Sequence, residues 1–204
     1  MNLNNSSQSN KLKKLNAKML ACTQCFLRKN CIQVVCGTGN AEAKILFIGE
    51  APGKKEDETG QPFIGASGKF LDEMLATIKL KRNDIYIANI IKCRPPKNRD
   101  PLPEEIAVCW RWLLAQIKII KPKLIVTLGK HSMQAFFPEL KISQAHGKIT
   151  QKNIPDIGQY LFYPLYHPAV ALYKRSMREV LLRDFKRIPK IIFIILFFLS
   201  PFLL

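Results

Sequence analysis

Acidic residues are scarce in this chain of 204. Fifteen Asp and Glu stand against thirty-two Lys and Arg, a formal charge of +17. A surplus of that size favours polyanions such as nucleic acid or an acidic membrane surface, although a proteome with a general basic drift shows the same balance without such a partner. The few acids are also bunched, with Glu50, Glu56, Asp57 and Glu58 falling within nine residues. A local acidic site on a basic body suits an enzyme that works on a polyanion.

Other absences narrow the field further. The N-terminal MNLNNSSQSNKLKKL carries no apolar core of a secretory signal, so a reducing, cytoplasmic setting is expected. In that setting Cys22, Cys25, Cys31, Cys36, Cys93 and Cys109 are metal ligands or redox groups more often than structural disulfides. No apolar run reaches the roughly 20 residues of a membrane-spanning helix. IIFIILFFLSPFLL, residues 191–204, stops at fourteen, contains Pro201 and follows the basic run Lys186 to Lys190. It reads as a membrane tail anchor or, preferably, as an incidental extension that lowers solubility, so no membrane partner is expected unless the tail is functional. Phosphate-loop chemistry is excluded on spacing: Lys54 stands where the second glycine after Gly49 is required, and Ala66 follows Gly65 where Lys is needed. Gly37-Thr38-Gly39 lacks a third glycine and precedes its strand instead of following it. No internal repeat is visible.

What the chain does contain is organised around residues 45–75, ILFIGEAPGKKEDETGQPFIGASGKFLDEML. An apolar run breaks at Gly49 into an acidic, glycine-punctuated loop, and the loop feeds a helix with a stripe of Phe70, Leu71, Met74, Leu75 and Ile78. Residues 1–10 read as a disordered tail, Lys11 to Leu20 as a short basic helix, and Phe26 to Asn40 as an irregular loop. Strands are expected at 44–48, 85–91, 123–128 and 160–165. Helices are expected at 103–120, opened by Pro103 with Glu104 and Glu105 in its first turn, at 130–137, and after Ala169 to about Arg187. Alternation of this kind predicts a single-domain α/β protein, three-layer α/β/α, around a mainly parallel four-stranded sheet. Residues 1–20 would form a flexible basic tail with its short helix, 21–188 the folded unit and 189–204 the extension.

Two constellations carry chemistry. The cysteines offer a local quartet, Cys22, Cys25, Cys31 and Cys36, suited to zinc, and a distributed one in which Cys22 and Cys25 join Cys93 and Cys109; spacing does not decide between them. Cys36 and Cys109 also read as plain core thiols. The second constellation is Glu50, Asn89 and His167, each closing or following an expected strand, so that a parallel sheet would gather them at one edge, where ligands bind in such folds. Phe63, in a polar loop, reads equally as core anchor or stacking platform.

Taken together, GEAPGKKEDETGQPFIGASG (Gly49 to Gly68), NIIKCRPPKNR (Asn89 to Arg99), YHPA (Tyr166 to Ala169) and Cys22, Cys25, Cys93 and Cys109 resemble the family 4 uracil-DNA glycosylases, which carry an iron–sulfur cluster. The resemblance spans about Ala21 to Arg187. It implies hydrolysis of the N-glycosidic bond of deoxyuridine in single- or double-stranded DNA, the first step of base excision repair, by a monomer associated with the nucleoid. It implies that His167 donates to the uracil O2, that Asn89 reads the base edge, that Phe63 stacks on the base, and that Gly49 and Ala51 line the substrate. Glu50 would orient the water, with Glu56 and Asn98 as a supporting hydrogen-bonded pair. Cys22, Cys25, Cys93 and Cys109 would hold a [4Fe-4S] cluster, while Cys31 and Cys36 match no ligand position and leave room for zinc. Residues 169–175 correspond to a DNA-wedging loop, with Leu172 or Tyr173 at the tip and Lys174 and Arg175 on phosphates, or else simply begin an amphipathic helix. Two competing functions remain: a non-catalytic, cluster-bearing nucleic-acid-binding module, and a zinc-stabilised hydrolase.

Overall fold

A computed structural model of the chain describes residues 7–199. Its centre is a six-stranded sheet in the order β1-β3-β2-β4-β6-β5. The strands are β1 (Thr38–Gly39), β2 (Ile45–Gly49), β3 (Tyr86–Asn89), β4 (Leu124–Leu128), β5 (Thr150–Ile154) and β6 (Gly158–Leu165). β3, β2, β4 and β6 run parallel, and β1 and β5 are antiparallel edges. The four parallel strands are those the sequence predicts. Both missed strands are edges: β1 is only two residues long in a turn-like GTGN segment, and β5 (TQKNI) is polar and alternately exposed.

Ten helices cover the sheet among the described residues: α1 (Ser7–Leu20), α2 (Phe26–Asn30), α3 (Lys54–Thr59), α4 (Ala66–Thr77), α5 (Pro103–Ile120), α6 (Lys130–Gln134), α7 (Ile142–Ala145), α8 (Val170–Tyr173), α9 (Arg175–Phe185) and α10 (Ile188–Ile194). Side chains alternate across the strands. Leu46 and Ile48 therefore face a core that includes Leu12 and Met19 of α1 and Leu113, Ile117 and Ile120 of α5. Ile45 and Phe47 face the opposite core, built with the α4 stripe and with Leu181 and Phe185 of α9. Because both faces of β2 and β4 are covered, all five residues of each strand are buried, which is why they appear in the sequence as largely apolar runs, Thr127 being the polar side chain among them.

Several local expectations need correction. The N-terminal helix begins at Ser7, not Lys11, because it has a docking site: the Gln8 amide donates to the carbonyls of Ile119 and Ile120 at 2.9 and 3.2 Å, capping the carboxyl end of α5. Residues 1–6, the rest of the expected tail, lie outside the described residues. The irregular loop of 26–40 contains α2 and β1, and the acidic loop contains α3. At the C-terminus the apolar run continues as α10 and a π-turn through Leu199, with Ile191 and Ile195 packed into the α4/α9 core and Phe193 and Phe197 exposed. No helix among the described residues is long and apolar enough to cross a membrane.

Candidate active site

The parallel strands end together, and each end delivers a polar group. Glu50 follows β2, Asn89 closes β3, His131 lies just past β4 on α6, and His167 follows β6. Glu50, Glu56, Phe63, Asn89, Asn98 and His167 line one open cleft of about 360 Å³ beyond these ends, within the range of small-ligand sites.

Gly49 has no space for a side chain: a Cβ there would collide with the Asn89 Oδ1 atom and lie 2.6 Å from the Phe63 ring. The absence of that carbon brings the amide and the aromatic face together. Phe63 is 5% exposed, adopts a positive φ of 54°, and places its ring 5.6 Å from that of His167. Asn89 is 2% exposed, yet its Oδ1 is buried without a hydrogen-bond partner. An orphaned buried acceptor costs free energy unless a ligand satisfies it.

His167 is held in a defined protonation state. Its Nδ1 accepts the Ala169 backbone N–H at 3.1 Å, so the neutral ring carries its proton on Nε2. Burial pushes its pKa down to about 4, against an opposing pull from Glu56. The group on offer is therefore a neutral imidazole N–H donor. Glu50 shifts the other way. Burial raises its pKa, His131 lowers it and Asp100 raises it. His131 Nε2 lies 4.0 Å from Glu50 Oε2 and 3.3 Å from Asp100 Oδ2, bridging the two acids.

Beside the cleft lies a second, smaller pocket, lined by Cys22, Cys25, Cys93 and Cys109 with Arg28, Lys92, Glu105 and apolar residues; Cys31 and Cys36 do not line it, although Cys31 hydrogen-bonds to Cys93. Cys36 is buried elsewhere, its Sγ 3.8 Å from the Asn16 carbonyl. A tetrahedral zinc with Zn–S bonds of about 2.3 Å holds its sulfurs about 3.8 Å apart. Among the described residues the trio of metal-ligating groups within 4.8 Å of one another is Glu50, Asp100 and His131, not a set of cysteines. Cys22, Cys25, Cys93 and Cys109 together offer four thiols to one pocket. Between the two pockets sits Lys92, fully buried. Its backbone N–H donates to Cys109 Sγ at 3.3 Å, and its ammonium donates to the Asn89 carbonyl and to Gln116 Oε1, both at 2.7 Å. Burial lowers its pKa to about 8, with Cys109 and Cys36 opposing.

A model of the uracil DNA glycosylase superfamily matches residues 36–188. The chain belongs to this superfamily. The type-4 uracil-DNA glycosylase of Archaeoglobus fulgidus is 43% identical to it over 184 residues, covering 85% of this chain and 89% of that protein. The type-4 enzyme of Sulfurisphaera tokodaii is 41% identical, covering 88% of this chain and 84% of its own, and that of Thermotoga maritima is 43% identical, covering 81% and 86%.

In this superfamily member the residues singled out from the sequence separate into groups. Glu50, Ala51, Glu56, Phe63, Asn89, Asn98 and His167 line the cleft, with Gly49 directly behind. Asp57 and Glu58 do not line it: the Asp57 carboxylate accepts the N–H groups of Ile32 and Gln33, and Glu58 pairs with Lys54. Nor do Glu56 and Asn98 bond to each other here. Glu56 Oε1 instead accepts the N–H groups of Ile64 and Gly65 at 2.9 and 2.8 Å, shaping the entry to α4, and Asn98 Oδ1 accepts Arg94 Nε at 2.8 Å. Leu172 and Tyr173 of α8 are 48% and 89% exposed, and Lys174 and Arg175 are exposed after them. Sequence reasoning missed His131, although the strand-end rule that found its neighbours applies equally to the segment after β4. It also missed Lys92, whose partner Gln116 lies 24 residues away.

Proposed function

We propose that this chain is a DNA-repair glycosylase that hydrolyses the N-glycosidic bond of deoxyuridine in DNA, releasing uracil and leaving an abasic site. The observation that carries the reading is the unpaired, buried Asn89 Oδ1 beside the Phe63 ring and the neutral His167. A flipped uracil stacked on Phe63 presents N3–H to that oxygen and O4 to the Asn89 amide N–H; cytosine reverses both groups. As the bond breaks, negative charge grows on the uracil, and the Nε2–H of His167 is the donor aimed at O2. A neutral donor suits this role, because its hydrogen bond strengthens only as charge develops. Glu50, flanked by His131, accepts from and orients the water that attacks the sugar.

Cys22, Cys25, Cys93 and Cys109 are the residues that would hold a [4Fe-4S] cluster, their spread around one pocket fitting four thiolates on a cubane. Such a group supplies a cross-link, tying the segment after α1 to the end of β3 and to α5. The tip at Leu172 or Tyr173 wedges into DNA in this reading, with Lys174 and Arg175 on phosphates, and the exposure of all four side chains supports it. The protein works as a monomer on chromosomal DNA in the cytoplasm.

The experiment is excision from a uracil-containing single-stranded oligonucleotide, followed by alkali. Cleavage at the uracil and not at a thymine control is expected. No cleavage by protein that retains its metal would favour the non-catalytic binding module instead. A second measurement addresses the base reader. Asn89→Asp replaces the amide donor and is expected to relax selectivity toward cytosine. Unchanged selectivity on paired uracil and cytosine substrates would assign the reading to another group.

A further inference from the structure

Phe63 is held in a conformation that its residue type disfavours. Its φ of 54° lies in the left-handed region, yet it is neither glycine nor asparagine, and its ring forms one wall of the cleft. Something must hold the turn. The local apolar packing of a residue 5% exposed contributes, but it does not fix the backbone.

Those carbonyls have one shared partner. Arg82, in the 3₁₀ turn 82–84 that leads into β3, donates through Nη1 to the Pro62 carbonyl at 3.1 Å and through Nη2 to the Phe63 carbonyl, with the Gly68 carbonyl 3.5 Å from the same nitrogen. The guanidinium is itself oriented by Asp72 of α4, with Nε to Oδ1 at 2.7 Å and Nη2 to Oδ2 at 3.2 Å. From the other side, Gly68 leaves room for the Phe63 carbonyl that any Cβ would occupy. A planar fork with several donors matches two adjacent carbonyls and a carboxylate at once; a lysine ammonium has no such geometry.

We infer that Arg82 is a positioning residue for the base-stacking wall: oriented by Asp72, its guanidinium ties down the carbonyls of Pro62 and Phe63 and so fixes the Phe63 ring against Gly49 and His167. The inference rests on the reading of Phe63 as the surface on which the extruded base stacks. Arg82 touches no reacting atom and acts through Phe63 alone. Because stacking is made in the ground state and the transition state alike, loss of the clamp falls on KM more than on kcat.

A double-mutant cycle on the full chain tests this, with single-site uracil excision, melting temperature and metal content measured for Arg82→Gln, Arg82→Lys, Phe63→Leu and the pair Arg82→Gln with Phe63→Leu. Arg82→Gln is expected to lower kcat/KM about tenfold or more, mainly through KM. Arg82→Lys, which retains the charge opposite Asp72, is expected to keep most of the melting temperature without restoring KM. In the Phe63→Leu background the Arg82 replacement is expected to cost less than about twofold further. An additive loss in the pair, or a wild-type KM in Arg82→Lys, would overturn the inference while leaving Phe63 in its role. A Phe63→Leu enzyme with wild-type kinetics would overturn both. If Arg82→Gln does not fold, Arg82→Lys with and without Phe63→Leu gives the same cycle.

Discussion

Replacing His167 by Ala is expected to slow excision by about 10²- to 10³-fold, the usual cost of one preorganised donor to a developing anion, while affinity for uracil-containing DNA changes little. The structure gives the reason for the split. The ring offers Nε2–H because Nδ1 is occupied by the Ala169 N–H, and a neutral donor gains most of its interaction energy only when the uracil carries charge. The pH profile should separate this residue from its neighbour. With a pKa pushed down to about 4, His167 is neutral above that value and does not titrate between pH 5 and pH 8. Glu50 has its pKa raised by burial; its carboxylate is lost as pH falls through that raised value, so the acidic limb of kcat belongs to Glu50. The limb should survive in His167→Ala and disappear, at a low and flat rate, in Glu50→Gln. Equal losses of rate and of DNA affinity in His167→Ala would contradict the assignment.

The second large effect is expected in the thiol-lined pocket. Changing Cys93 and Cys109 together to Ser should abolish bound iron and lower the melting temperature sharply, because ligand binding of this kind is folding free energy. Changing Cys31 and Cys36 together should leave iron content intact, since neither lines the pocket and Cys31 reaches it only through its hydrogen bond to Cys93. Elemental analysis and the visible absorption of protein prepared without oxygen read both outcomes. Metal lost only with Cys31 and Cys36 would exclude the cluster and restore the zinc alternative. Loss of the Cys93 and Cys109 pair should also be felt at the active site. Lys92 donates both to Cys109 Sγ and to the Asn89 carbonyl, so a disordered pocket loosens the strand end that carries the base reader.

The sequence made the buried centre legible and left the edges obscure, for a physical reason. A parallel strand covered on both faces must be almost wholly apolar, and ILFI and LIVTL, with Thr127 its single polar side chain, show this directly. An edge strand half in water, such as TQKNI, looks like any polar segment. α3, spelled KKEDET, has no apolar periodicity at all; it exists because its Asp57 and Glu56 side chains satisfy backbone N–H groups of neighbouring segments. The strand-end residues Glu50, Asn89 and His167 were legible because topology alone gathers them. Arg82 and Lys92 were not, because a cation in a basic sequence is read as solvated until its acceptors are known, and those acceptors are backbone carbonyls and an amide brought near by folding.

The C-terminal run is built into the body of the fold. Ile191 and Ile195 occupy the same core as Leu181 and Phe185, although the superfamily match ends at residue 188. Cutting the chain after Pro189 would therefore trade one sticky surface for another, removing exposed Phe193 and Phe197 while stripping the cover from α4 and α9. A more soluble form of this protein is better sought by making those two phenylalanines polar and leaving the isoleucines in place.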